Sequence, residues 1–198
     1  MLHAISTGKQ SFEQWLEVTK QIHQEADFVH IREKTWSARQ LERAVQELLA
    51  AAVPPSKIIV NKGPELVRSW NLAGVHFPES NTLVFSNEAP FIKGSSVHSK
   101  TMAVQKENEG ADYLFFGHIF DTPSKPGLPG RGLKQLQEIT DAVSIPVLAI
   151  GGIMPERVPL CLDYGAAGAA VMSGIYDAPE PAKAVQSFRS ALLKGGMT

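Results

Sequence analysis

The chain has 198 residues, 43% of them apolar and 20% charged, a balance that excludes a disordered chain and suits one sizeable core. Lys and Arg total 19 against 20 for Asp and Glu, and the net charge of -1 offers no basic surplus for nucleic acid. The one cysteine, Cys161, excludes an intrachain disulfide, and no apolar run approaches the ~20 residues of a membrane span. Short apolar runs of strand character then alternate with helical runs along the whole sequence. Residues 2–6 lead to a helix over 11–25, residues 28–32 to one over 38–52, and residues 57–61 to one over 65–70. Residues 74–77 form a fourth strand, followed by a loop over 78–90. Residues 91–98 lead to a helix over 100–109, and residues 113–120 to one over 133–143. Residues 146–151 lead to a helix over 155–164, and residues 168–173 to one over 182–193.

Eight strands and seven helices in strict alternation imply parallel strands joined by right-handed crossovers. That count predicts an α/β fold, a (β/α)8 TIM barrel, as one domain over residues 1–198; a doubly wound sheet is the alternative architecture. Ser11 and Ser37 stand at expected helix N-caps, Pro155 in a first turn, and Gly110 and Gly165 at helix ends. Cys161 falls in a helix as a small core residue. The opening "MLHAISTGKQ" has no basic region followed by an apolar segment, so a cytoplasmic protein without a signal peptide is expected. The sequence does not fix the oligomeric state; small barrels often associate, and a homodimer is one assembly it allows.

In such a barrel the chemistry lies where strands end at their C-terminal face. "AIGG" (149–152) and "MSG" (172–174) end strands seven and eight. Glycines let main-chain N–H groups approach an anion, and these two loops are the recurrent phosphate position of the fold; tight turns are the plainer explanation. "VHIREK" (29–34) ends strand two, and alternation puts His30, Arg32 and Lys34 on one face. That trio suits an anionic substrate or a surface cluster with Glu33. Five of six histidines, His3, His30, His76, His98 and His118, fall in strands, but none has ligand spacing, so no metal site is expected. His118 follows Gly117 and precedes "DTPSKPGLPGRG" (121–132), a loop long enough to be functional. Alternation places Phe116 and Phe120 on its face. An imidazole there suits general acid–base catalysis or a hydrogen-bonded rim.

Taken in order, "VHIREK", "IIVN", "GVHF", "SVH", "GADYLFFGHIFDTPSKPG", "IPVLAIGGI" and "GAAVMSGI" resemble the thiamine phosphate synthase superfamily over nearly the whole chain. The resemblance implies the same barrel. It also exposes departures. Synthases carry an Asp where this chain has Lys62, a second where it has Asn81, Gln at His30, and proline at His118. The two acids hold Mg²⁺ on a pyrimidine diphosphate, and Lys62 and Asn81 make a poor site for that ion.

The pattern is similar to the TenI-type thiazole tautomerase branch. This implies isomerisation of a thiazole carboxylate phosphate to its aromatic tautomer with no cofactor. In that reading His118 moves the proton, and Gly151, Gly152, Met172 and Ser173 bind phosphate. Thr122 and Ser124 match a Thr-x-Thr stretch near the thiazole phosphate, and Lys125 matches a lysine facing the diphosphate in the synthase. Charge and position suggest that Arg32 holds the substrate carboxylate. A synthase and a non-catalytic phosphate-binding regulatory protein on the same fold are the alternatives.

Overall fold

A computed structural model describes residues 1–82 and 90–195. Its eight strands are β1 (Leu2–Ile5), β2 (Phe28–Ile31), β3 (Ile58–Val60), β4 (Gly74–Phe77), β5 (Ile92–Val97), β6 (Tyr113–Gly117), β7 (Val147–Ile150) and β8 (Gly168–Val171). They follow one another around a closed parallel barrel, and β8 returns to β1 with His3 opposite Ala170. Closure leaves no sheet edge, which excludes the doubly wound alternative. The helices are α1 (Phe12–Ile22), α2 (Ala38–Ala50), α3 (Pro64–Trp70), α4 (Lys100–Asn108), α5 (Gly132–Thr140), α6 (Val158–Asp163), α7 (Ser173–Tyr176) and α8 (Pro181–Gly195). Among the described residues no helix is long and apolar enough to cross a membrane. Of the expected loop over 78–90, residues 83–89 lie outside the described residues.

Local chemistry starts these helices where the sequence suggests. Ser11 accepts from the main-chain N–H of Gln14, whose side chain accepts in return from the main-chain N–H of Ser11; Ser37 and Gln40 repeat the arrangement. Each such cap contributes about 1 kcal/mol by satisfying donors that a helix start leaves free. Gly110 and Gly165 take positive φ values after α4 and α6, as helix-ending glycines do. Pro155 opens a short 3₁₀ turn, Pro155–Arg157, before α6.

Strand alternation divides the core in two. Phe116, Val29, Val60 and Ala149 point outward against the helices, where Trp15, Leu48 and Phe188 are buried. Ile5, Ile59, Tyr113, Phe115, Leu148 and Ala170 fill the barrel interior. Each fully buried large side chain contributes about 1.5–3 kcal/mol. Cys161 is buried, and burial pushes its thiol up to about 11, which fits a core role.

Three expectations change at the barrel mouth. β2 ends at Ile31, so alternation does not carry Arg32 and Lys34 onto the face of His30. Instead His30 is buried inside the barrel, Arg32 is half-buried and Lys34 is exposed. β6 ends at Gly117, so His118 and Phe120 lie beyond the strand, while Phe116 packs outward under the helices. A short helix, α7, occupies the turn expected after strand eight.

Candidate active site

His118 is the first residue past β6, joined to Gly117 by a cis peptide bond. The strand delivers it to the mouth, and the turns after β6 and β7 lie directly against each other. Ile119 N–H donates to Ile150 O at 2.9 Å and Phe120 N–H donates to Gly151 O at 3.1 Å. Gly117 is required by this contact: a Cβ there would sit 2.0 Å from Ile150 O. The imidazole itself is half-buried, and its Nε2 lies 3.1 Å from Leu128 O. A carbonyl oxygen can only accept, so Nε2 carries the proton in neutral His118 and Nδ1 is the bare nitrogen.

The loop over residues 121–132 is anchored at both ends. Gly130 N–H donates to the Asp121 carboxylate at 2.7 Å, and Arg131 N–H donates to His118 O at 2.9 Å. Within it, Lys125 N–H donates to Thr122 O at 3.0 Å and Ser124 N–H donates to Thr122 Oγ1 at 3.4 Å. Ser124 and Lys125 are exposed, and Thr122 is half-buried.

Beside His118 lies the β7 turn. Gly151 and Gly152 have φ of +90° and +67°, and Arg157 holds the turn by donating from Nη1 to Gly152 O at 2.8 Å while stacking 4.7 Å over the Phe120 ring. After β8, Met172 is half-buried and Ser173 begins α7. Asp177, just past α7, accepts from Gln10, Lys9 and Thr7, tying this end to the β1 loop. The main-chain N–H groups of Gly152, Ser173 and Gly174 have no acceptor among the described residues. Two neighbouring turns with free donors form an arrangement that can receive an anion.

Arg32 brings a further positive charge. It has no carboxylate at ion-pair distance among the described residues, yet its field reaches both buried His76 and Glu33. Lys34 stays at the surface. Lys62 does not face an anion: its ammonium donates to Trp36 O at 2.7 Å and to Lys34 O at 3.4 Å, holding the turn after β2. The Asn81 carbonyl oxygen accepts from the Lys106 ammonium, and Glu79 is engaged by His98 at 2.7 Å. Among the described residues no three His, Cys, Asp or Glu side chains converge as metal ligands. An ammonium and an amide where Mg²⁺ needs carboxylate oxygens do not fit that ion.

Below the mouth, three strand histidines meet inside the barrel. His3 Nδ1 lies 2.9 Å from His30 Nε2. His76 bonds Tyr113 Oη at 3.0 Å and Ser96 Oγ at 2.9 Å while stacking 4.2 Å from Phe115. Burial lowers all three, His30 to about 3, so they are neutral at ordinary pH. His30 Nδ1 and Asn61 Oδ1 are buried with no hydrogen bond of full geometry, and the neighbouring Asn61 side chain raises His30 against the larger effect of burial. Sequence pattern placed these histidines on strands but could not show that three would face inward together.

Of the sequence-derived residues, the fold brings His118, Gly151 and Gly152 into adjoining turns, with Met172 and Ser173 on the next strand end. It leaves Ser124 and Lys125 on the outside of their loop. Leu128, Arg131 and Arg157 were missed; only the "GRG" closing the long loop hinted at Arg131.

The family profile described as thiamine monophosphate synthase matches residues 2–175. A putative thiamine-phosphate synthase 2 of Aquifex aeolicus is 34% identical over 177 residues, covering 87% of this chain and 95% of the relative. The thiamine-phosphate synthase of Thermus thermophilus is 32% identical over 174 residues, covering 84% and 82%. Among solved structures, thiamine phosphate pyrophosphorylase from Pyrococcus furiosus superposes with a TM-score of 0.79 at 25% identity, over 98% of this chain and 96% of that one. A 3-hexulose-6-phosphate synthase, at 18% identity and a TM-score of 0.75, shares the fold. With a family match spanning most of its length, the chain belongs to the thiamine monophosphate synthase family.

Proposed function

We propose that this member of the family is a thiazole tautomerase, an isomerase that converts a thiazole carboxylate phosphate from its exocyclic-alkene tautomer to the aromatic one. The observation that carries the reading is His118, a half-buried imidazole with Nε2 committed to Leu128 O and Nδ1 left bare. The reaction removes a proton from the ring carbon bearing the carboxylate and adds one at the exocyclic carbon, so atoms balance without a second reactant. Nδ1 takes the proton as base. The imidazolium that forms keeps its Nε2–H on Leu128 O and returns the proton from Nδ1 as acid. Aromaticity supplies the driving force.

The substrate phosphate lies on the turns of Gly151, Gly152, Met172 and Ser173, and Arg32 takes the carboxylate through a charge-assisted pair. Thr122, Ser124 and Lys125 belong to the loop that carries Leu128 O; Ser124 and Lys125 are exposed, so in this reading half-buried Thr122 is the member of the set assigned to the phosphate. Binding energy from the phosphate, remote from the reacting carbons, offsets the cost of orientation. No cofactor enters the scheme.

The names of the relatives favour a second reading, thiamine phosphate synthase, a transferase. Lys62 and Asn81 speak against it, because the diphosphate chemistry of that enzyme relies on Mg²⁺ and these side chains do not suit the ion. Two parallel assays separate the readings. Ultraviolet absorbance follows aromatisation of the thiazole tautomer, and a second assay measures Mg²⁺-dependent coupling of pyrimidine diphosphate to thiazole phosphate. Aromatisation without coupling is expected; coupling at rates typical of an enzyme would establish the synthase.

A further inference from the structure

We infer that Arg131 is a positioning residue for His118, an inference that rests on the acid–base role proposed for that imidazole. Two peptide carbonyls flank the His118 α-carbon, and Arg131 holds both. Its Nε donates to Gly117 O at 3.0 Å and its main-chain N–H donates to His118 O at 2.9 Å. The next residue extends the grip, with Gly132 N–H donating to Ile119 O at 2.9 Å. On the opposite side the same segment is held by Ile150 O and Gly151 O. The segment carrying the imidazole is therefore gripped from two directions, and among the described residues Arg131 is the only side chain that hydrogen-bonds its main chain.

The residue type is informative. Arg131 is half-buried, and among the described residues its guanidinium meets no carboxylate at ion-pair distance. The cation is spent on a neutral main-chain acceptor, Gly117 O, in a strand-end residue that is itself buried. A charge-assisted bond to a carbonyl is stronger than a neutral one, and the planar guanidinium fixes its direction.

The same residue ends the loop that carries Leu128 O, the partner of His118 Nε2. Arg131 thus sets the distance between the imidazole and the carbonyl that chooses its tautomer. Loss of the guanidinium leaves Gly117 O without its side-chain donor and frees His118 to drift from Leu128 O. The phosphate turns of β7 and β8 do not depend on Arg131 for any hydrogen bond among the described residues.

The test is the ¹⁵N spectrum of histidine-labelled full-length protein near neutral pH, with the His118 signals assigned by comparison with His118→Asn. Wild type is expected to show a protonated Nε2 and a bare Nδ1. Arg131→Gln is expected to show averaged nitrogens, with kcat down on the order of 10²-fold, the cost of a misplacement near 1 Å. KM and inorganic-phosphate affinity should stay within about threefold of wild type, because the phosphate-binding turns are untouched. Arg131→Lys, which keeps the charge and stem but not the fork, should move both readouts in the same direction by less. It also serves if the Gln variant fails to fold. Wild-type nitrogen shifts and wild-type kcat in a folded Arg131 variant would overturn the inference, as would a fall in phosphate affinity equal to the fall in kcat. The spectrum needs no substrate, so a wild type without tautomerase activity would sink the proposed function while the placement of His118 by Arg131 is still read directly.

Discussion

Gly151 and His118 are in such close contact that a Cβ on Gly151 would lie 2.3 Å from His118 Cβ and 2.6 Å from its Cα. One residue therefore belongs to two parts of the proposed site: its turn carries the main-chain donors assigned to the phosphate, and its bare α-carbon is the surface on which His118 rests. The imidazole and the anion turn are held at a fixed spacing by direct contact.

Gly151→Ala is the sharpest probe of that contact. The residue has φ of +90°, so any side chain is strained, and the new methyl group must also displace His118. The expected loss of stability is about 2–4 kcal/mol, from adverse backbone geometry and overpacking together. Turnover should fall on the order of 10²-fold in the folded fraction. Thermal unfolding and steady-state kinetics measured side by side check it, and an alanine variant with unchanged kcat would show that the two turns are independent.

The missing carboxylates can be restored. A Lys62→Asp, Asn81→Asp double variant supplies the oxygen ligands that Mg²⁺ requires at the ends of β3 and β4. Titration calorimetry with MgCl₂ in the presence of inorganic pyrophosphate should show tighter Mg²⁺ binding in the double variant than in wild type. Equal binding in both would mean that Mg²⁺ finds other ligands in this barrel.

The buried histidines set a pH dependence of stability. Burial, with mutual repulsion, holds His3 and His76 well below 6.5, and burial lowers His30 to about 3. Between these values and 6.5 the unfolded chain binds protons that the folded chain refuses. Stability from these groups is therefore full above about pH 6.5 and is lost as pH falls. Glu33, raised by burial, opposes the trend with one proton. Each histidine contributes about 1.4 kcal/mol per pH unit within its window. Urea unfolding at pH 7.5 and pH 5 should show a clear loss, and His30→Gln should lose about 2 kcal/mol less over the same interval. A slope unchanged by His30→Gln would mean that His30 is protonated in the folded state.

The barrel was legible because its signals are local and repeated. Apolar runs bounded by capping serines and helix-ending glycines recur along the chain, and both N-caps form where Ser11 and Ser37 suggest. The glycine turns after β7 and β8 and the place of His118 followed from the rule that barrel sites lie at strand ends. What alternation could not give was where each strand stops. Carrying the period-two pattern past Ile31 and Gly117 put Arg32 with His30 and Phe120 with Phe116, whereas the chain leaves the sheet at both points. Leu128 acts through a carbonyl oxygen that every residue possesses, so side-chain identity held no trace of it. Arg131 meets its partners thirteen or more residues back along the chain, a pairing set by how the loop folds onto the strand end.

The central claim is that His118 moves the proton, and proton NMR of the exocyclic thiazole tautomer in D₂O, with wild type and His118→Asn compared, tests it directly. The amide of Asn can hydrogen-bond but cannot act as a base or an acid toward the substrate near neutrality. Wild type is expected to aromatise the substrate rapidly, and His118→Asn to be slower on the order of 10²-fold or more. Equal rates in the two proteins would contradict the account.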